Sequence, residues 1–79
     1  YKVIMHNDDF TTMEFVINVL VVIFNKKLIE AEKIMMDVHK KGKGIAGIYS
    51  YDIAITKVST AMSMARENEF PFKLTVEEA

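Results

Sequence analysis

Apolar residues in the first six positions gather at Val3, Ile4 and Met5, and Tyr1 to His6 reads as a short strand. Asn7, Asp8 and Asp9 interrupt it, because such side chains bond to their own backbone and favour turns. The pattern then changes period. Met13, Val16, Ile17, Leu20, Ile23 and Phe24 recur at the spacing of one helix face. Ahead of them, Thr11-Thr12-Met13-Glu14 predicts a capping box, with Thr11 as N-cap and Glu14 reaching back, and Phe10 and Phe15 predict a hydrophobic staple. Val19 to Phe24 also suits a buried strand, but the cap and the length of the run decide for a helix. Val21 and Val22 carry the apolar stretch round to the side where polar residues are expected. They are therefore either buried or part of a partner surface.

A second helix spans Leu28 to Lys41, with Ala31, Ile34, Met35, Val38 and His39 at i, i+3, i+4, i+7 and i+8. Lysines fill its last turn and Gly42 stops it. Gly44 to Tyr49 reads as a second strand. Ser50 is a good N-cap for a third helix whose apolar face is Ala54, Val58, Ala61, Met62 and Ala65, and Pro71 ends it. Phe72, Leu74 and Val76 alternate with Lys73, Thr75 and Glu77, a half-buried strand of period two. The expected fold is α+β, in the order β-α-α-β-α-β, with a short three-stranded antiparallel sheet and three helices on one face. No linker or internal repeat divides residues 1–79, so they form one domain.

Composition narrows the function. With 51% apolar and 27% charged residues the chain is neither disordered nor of low complexity. It has no cysteine, which rules out disulfides and thiolate metal sites and fits a reducing compartment. Ten basic against eleven acidic residues give no basic stripe for nucleic acid. The longest apolar run, Val19 to Phe24, is too short to span a bilayer, and no signal peptide stands out. Tyr1 lies in or beside a strand, so an extension ahead of it is expected.

Candidate chemistry is sparse. Asn7-Asp8-Asp9 is the densest polar group; it is either turn and cap chemistry or a small cluster suited to a cation or an amine. His39, on the apolar stripe of the second helix, is either a satisfied core histidine or an acceptor for a ligand amine. Met13, Met35 and Met36 are core packing or an adaptable apolar wall. Lys40, Lys41 and Lys43 around Gly42 match no phosphate loop. A Ser59-His39-Asp37 set and a metal site of Asp8, Asp9 and His39 can be drawn, but neither has a supporting motif. No metal, cofactor or catalytic residue is therefore assigned.

Taken together in order, these segments resemble the ClpS family, the adaptors that deliver N-degron substrates to the Clp protease. "YKVIMHNDDFTTMEFV" is similar to the family's opening strand and its Asn-Asp-Asp turn into a helix. "IMMDVHKKGKGIAGIYSYDIAITKV" is similar to its Met-x-x-Val-His helix, glycine-rich turn and Thr-Lys-Val. "ARENEFPFKLTVEE" is similar to its closing segment. The family's fold agrees with the order read above and is shared with a ribosomal-stalk domain, so fold alone does not assign function. A stalk-like docking domain without N-terminus recognition is the alternative.

The resemblance implies a non-enzymatic receptor, monomeric and cytoplasmic in a bacterium or housed in a plastid stroma. Its ligands would be protein N-termini beginning with Phe, Leu, Tyr or Trp. By resemblance, Asn7, Asp8 and His39 surround the α-amino group and Asp9 and Thr11 form the rim. Met13, Val16, Met35 and Val38 line the pocket, Phe72 helps close it, and Asp52 and Lys57 contact the N-terminal domain of a Clp ATPase. Four residues depart from the family pattern: Thr12 replaces a frequent proline, Phe72 a frequent leucine, and Val21 and Val22 polar residues. The family's N-terminal extension, used in handing substrate on, is not among these residues; the function expected from the resemblance is recognition of such N-termini and their delivery to a Clp ATPase-protease for degradation.

Overall fold

Val3 and Met5 sit at the centre of the sheet, both fully buried, on the middle strand of three. The computed structural model describes all 79 residues. Strand β1 (Lys2–His6) pairs antiparallel on one side with β2 (Lys43–Ile48) and on the other with β3 (Lys73–Glu77). Helices α1 (Met13–Val22), α2 (Leu28–Lys41) and α3 (Tyr51–Glu67) cover one face of this sheet. Val3 and Met5 point into the helices, and Ile4 between them points to the other face, as the two-residue period of a strand requires.

The register passes an irregularity between Val3, opposite Gly47, and Ile4, opposite Ile45. Ala46 is the extra residue of this bulge, and it is buried. Gly47 is required there by close approach: the Tyr49 ring lies where a Cβ would stand. Tyr49 in turn donates its hydroxyl to the Phe24 carbonyl at 3.2 Å, tying β2 to the end of α1.

The expected elements all form, with shifted details. β2 begins at Lys43 rather than Gly44, and β3 follows Phe72 rather than including it. α3 ends at Glu67, well before Pro71: Asn68 caps it with its side-chain amide on the Met64 carbonyl, and Glu69 turns left-handed at φ 59°. The core-facing stripe of α1 is Phe15, Val16, Val19, Leu20, with Ile23 and Phe24 following. Met13 and Ile17 therefore lie to one side of it. Val21 and Val22 are exposed, which excludes the buried reading of that pair.

The N-terminus of α1 is corrected too. Thr12, not Thr11, is the N-cap: its hydroxyl accepts the Phe15 amide at 3.2 Å. Glu14 then falls one position short of a capping box, and the Thr11 hydroxyl is used elsewhere. Phe10 is 75% exposed, so no staple forms with Phe15. Phe15 packs edge-on against Phe70 and Phe72 instead.

Gly42 closes α2 in the left-handed region, at φ 87°, with its amide on the Val38 carbonyl. No atom lies within 4 Å of where a Cβ would stand, so the demand for glycine is conformational and not steric. Gly42→Ala should therefore lower unfolding free energy by about 1 kcal/mol, read from urea denaturation.

Candidate functional site

The polar residues after β1 are ordered by Asp8. Its Oδ1 accepts the amides of Phe10 (2.8 Å) and Thr11 (2.7 Å), and its Oδ2 accepts the Thr11 hydroxyl (2.6 Å). The Asp8 carboxylate is thus a fastening for the turn into α1 as well as a charge. Burial raises its pKa, but the three donors outweigh that and hold it below its ordinary value. The carboxylate therefore stays ionised and presents a fixed negative charge.

One backbone bond brings the two distant halves of the site together. The Asn7 amide donates to the Gly42 carbonyl at 2.9 Å, which sets the end of β1 beside the last turn of α2. Asn7 and His39 are both exposed there, and each leaves its side-chain polar atoms free for a ligand. The core reading of His39 is excluded by that exposure.

These residues line the molecule's one hollow, of about 240 Å³. Asn7, Asp8, Asp9 and Thr11 form one side. Met13 and Val16 come from α1, and Met35, Val38 and His39 from α2. The walls are graded: Val16, Met35 and Val38 are buried at the base, whereas Met13 is 46% exposed at the mouth. The hollow is below the roughly 300 Å³ at which pockets for drug-sized ligands begin, and suits a single large side chain. An apolar base beneath a negatively charged, acceptor-rich lip can hold a cationic group attached to an apolar one.

Phe72 is the exception among the expected pocket residues. It is 3% exposed, stacked edge-on with Phe15, and does not reach the hollow. Its large ring is drawn into the core because Phe15 and Phe70 already make an aromatic cluster there. No three His, Asp or Glu side chains gather as a metal site would need.

Asp52 is exposed in the first turn of α3. Lys57, five residues on, lies about 140° round the helix from it and is already engaged. Its ammonium donates to the Ile23 carbonyl (2.5 Å) and the Asn25 side-chain oxygen (3.1 Å), with the Tyr49 ring centroid 5.2 Å away. α1 has no basic residue in its own last turn, so Lys57 supplies the cation that its C-terminal dipole favours. Sequence reasoning missed this cap, since the partners are 34 residues apart. The turn role of Asp8 is read from the sequence, but its Thr11 partner is not, although an aspartate three residues before a threonine is a recognisable turn signal.

The family model described as ATP-dependent Clp protease adaptor protein ClpS matches residues 1–75. Among curated relatives, the ATP-dependent Clp protease adapter protein ClpS of Clostridium acetobutylicum is 58% identical over 78 residues, covering 99% of this chain and 77% of that protein. The protein of the same name from Syntrophus aciditrophicus is 50% identical over 78 residues, covering 99% and 73%. Among solved structures, Agrobacterium tumefaciens ClpS2 bound to L-phenylalaninamide superposes with a TM-score of 0.91 at 36% identity, covering 96% of this chain and 92% of that one. No helix here is long and apolar enough to cross a membrane.

Because Asp8 has a lowered pKa in the folded state, its contribution to stability is full above the ordinary carboxylate value, near pH 4. It is lost as pH falls through the lowered folded value. Asp8→Asn should therefore be less stable than the parent at pH 6 and converge on it as the pH falls below the ordinary carboxylate range, in urea unfolding followed across that range.

Proposed function

This chain belongs to the ClpS family of ATP-dependent Clp protease adaptors, and on that premise we propose that it is a receptor for protein N-termini that begin with a bulky hydrophobic residue. The first residue would be Phe, Leu, Tyr or Trp with its α-amino group free. The observation that carries this reading is the single hollow with free acceptors at its lip and an apolar base. A first residue of that kind presents both features at once, a three-donor ammonium and an adjoining apolar side chain.

Each part has a stated task. The Asn7 amide oxygen and a neutral His39 ring nitrogen accept protons of the ammonium, and the ionised Asp8 supplies the opposite charge. Asp9 and Thr11 shape the rim, and Met13, Val16, Met35 and Val38 enclose the side chain. A charge-assisted bond contributes about 1.5–3 kcal/mol, and burial of a Phe or Leu side chain about as much again. Neither offsets the cost of association alone; together they do. L-phenylalaninamide, the ligand of the Agrobacterium protein, carries a free α-amino group and a benzyl side chain, which supports the same chemistry here.

Selectivity follows from what the lip demands. An acetylated or internal residue cannot donate to the acceptors and leaves them dehydrated and unpaired. The unbranched methionines allow the wall to fit more than one ring or chain shape.

Delivery to the N-terminal domain of a Clp ATPase is the second half of the proposal, with Asp52 and Lys57 as the contacts that the family likeness assigns. Asp52 is open to a partner. Lys57 would act while also holding the end of α1, so its replacement would disturb the fold as well as the contact. The proposed setting is the cytoplasm, with which the lack of cysteine agrees, and the proposed working unit is the monomer.

Calorimetric titration tests the receptor. A peptide with a free N-terminal Phe should bind, and its acetylated and Gly-initiated forms should each be weaker by one to two orders of magnitude, roughly the loss of one of the two terms. Equal affinity for all three would refute the reading. Met13→Ala should change the ratio of affinities for Phe- and Leu-initiated peptides by about threefold or more. Because the side chain is half exposed, the same variant should change unfolding free energy by less than about 1 kcal/mol. An unchanged ratio would remove Met13 from the pocket wall.

A further inference from the structure

The face of the sheet turned away from the helices carries no covering element, and its composition is not that of a passive surface. Directly opposed residues on neighbouring strands share a face, so the register sorts this face into rows. The row nearest the hollow is Lys43–His6–Lys73, three basic types side by side. The middle row is Ile45–Ile4–Thr75. In the third row Lys2 stands between Ile48 and Glu77, the one carboxylate among the opposed residues of this face, although no ion pair joins Lys2 to it.

Lysines on edge strands discourage pairing with other chains, and Lys43 and Lys73 are on the two edges. That account does not cover the isoleucines. Ile45 is 49% exposed and Ile48, opposite Lys2, is 64% exposed, beside an Ile4 that is only 5% exposed although it lies outside the core cluster. Lys43 and Lys73 also lack carboxylate partners: the molecule's one ion pair is Lys41–Asp37. Two unneutralised cations about 10 Å apart therefore border an apolar strip, in a chain whose net charge is −1.

The geometry points to this open face as a docking surface for an acidic polypeptide segment that carries aliphatic residues. Two carboxylates of such a segment would meet Lys43 and Lys73, and its aliphatic side chains would cover Ile45 and Ile48. Charge complementarity favours an acidic partner. The side-chain types favour polypeptide over nucleic acid, since the one ring in these rows, His6, is half-buried and held by a 2.8 Å hydrogen bond between its Nε2 and the Thr75 hydroxyl, and there is no arginine fork for a phosphate. The surface is separate from the hollow, and its occupant need not have a free N-terminus.

The test is a titration of the 15N-labelled protein with three probes: an N-acetylated peptide of alternating Glu and Leu, the same peptide with Lys for Glu, and oligothymidine. Acetylation keeps the peptide out of the amine-reading hollow, so the result stands or falls independently of the receptor function. The acidic peptide should produce saturable shifts at the amides of Ile4, Ile45, Lys43 and Thr75 and leave Asn7 and His39 unmoved. The Lys peptide should produce none. Lys43→Glu with Lys73→Glu should weaken the acidic peptide by about tenfold, and each single variant should show part of that loss. No saturable shift on this face, equal binding of the Lys peptide, tighter binding of oligothymidine at the same residues, or unchanged affinity in folded charge-reversed variants would overturn the proposal.

Discussion

A hydrogen bond between two backbone groups, Asn7 N–H and Gly42 C=O, governs the geometry of the whole site. It joins the end of the central strand to the end of α2, two points 35 residues apart in sequence. Through it the first polar residue after β1 comes to stand next to the last turn that carries His39. The bond depends on Gly42 turning left-handed so that its carbonyl faces β1, and on β1 being held straight between two partners. The hollow is what remains between that junction and the first turn of α1.

The polar cluster that interrupts the chain after β1 is divided by function within a few residues. Asp8 and Thr11 satisfy one another and the backbone, so they hold shape. The side chains of Asn7 and His39 are left without internal partners, so they are the groups with capacity for a ligand. Asp8 does both, because a carboxylate that accepts three donors keeps its charge. Met13 marks the same division on the apolar side: displaced from the core stripe of α1, it is free to stand at the mouth.

Periodicity made the architecture legible. The change from strand to helix spacing after Asn7, the glycine at 42 and the alternation from Phe72 to Val76 located all six elements to within a few residues. The nine residues that line the hollow were legible only through family likeness, since no spacing rule brings Asn7 and His39 together. What escaped was decided by tertiary packing. Phe72 looked available for a pocket, but Phe15 and Phe70 draw its ring inward. Lys57 looked like a surface charge, but the unsatisfied carbonyl of Ile23 claims it. The cap of α1 moved by one residue because Asp8 competes for the Thr11 hydroxyl, leaving Thr12 to accept the Phe15 amide.

The Asp8 fastening spans four consecutive residues and needs no other part of the molecule. The apolar base of the hollow, by contrast, exists only while α1 and α2 lie against one another. The lip is therefore a short-range structure and the base a long-range one, and the two differ in how they respond to warming. Loosening of the helix pair would spoil the fit for a side chain while the polar turn kept its shape, so discrimination among first residues would fade before attraction for a charged terminus did.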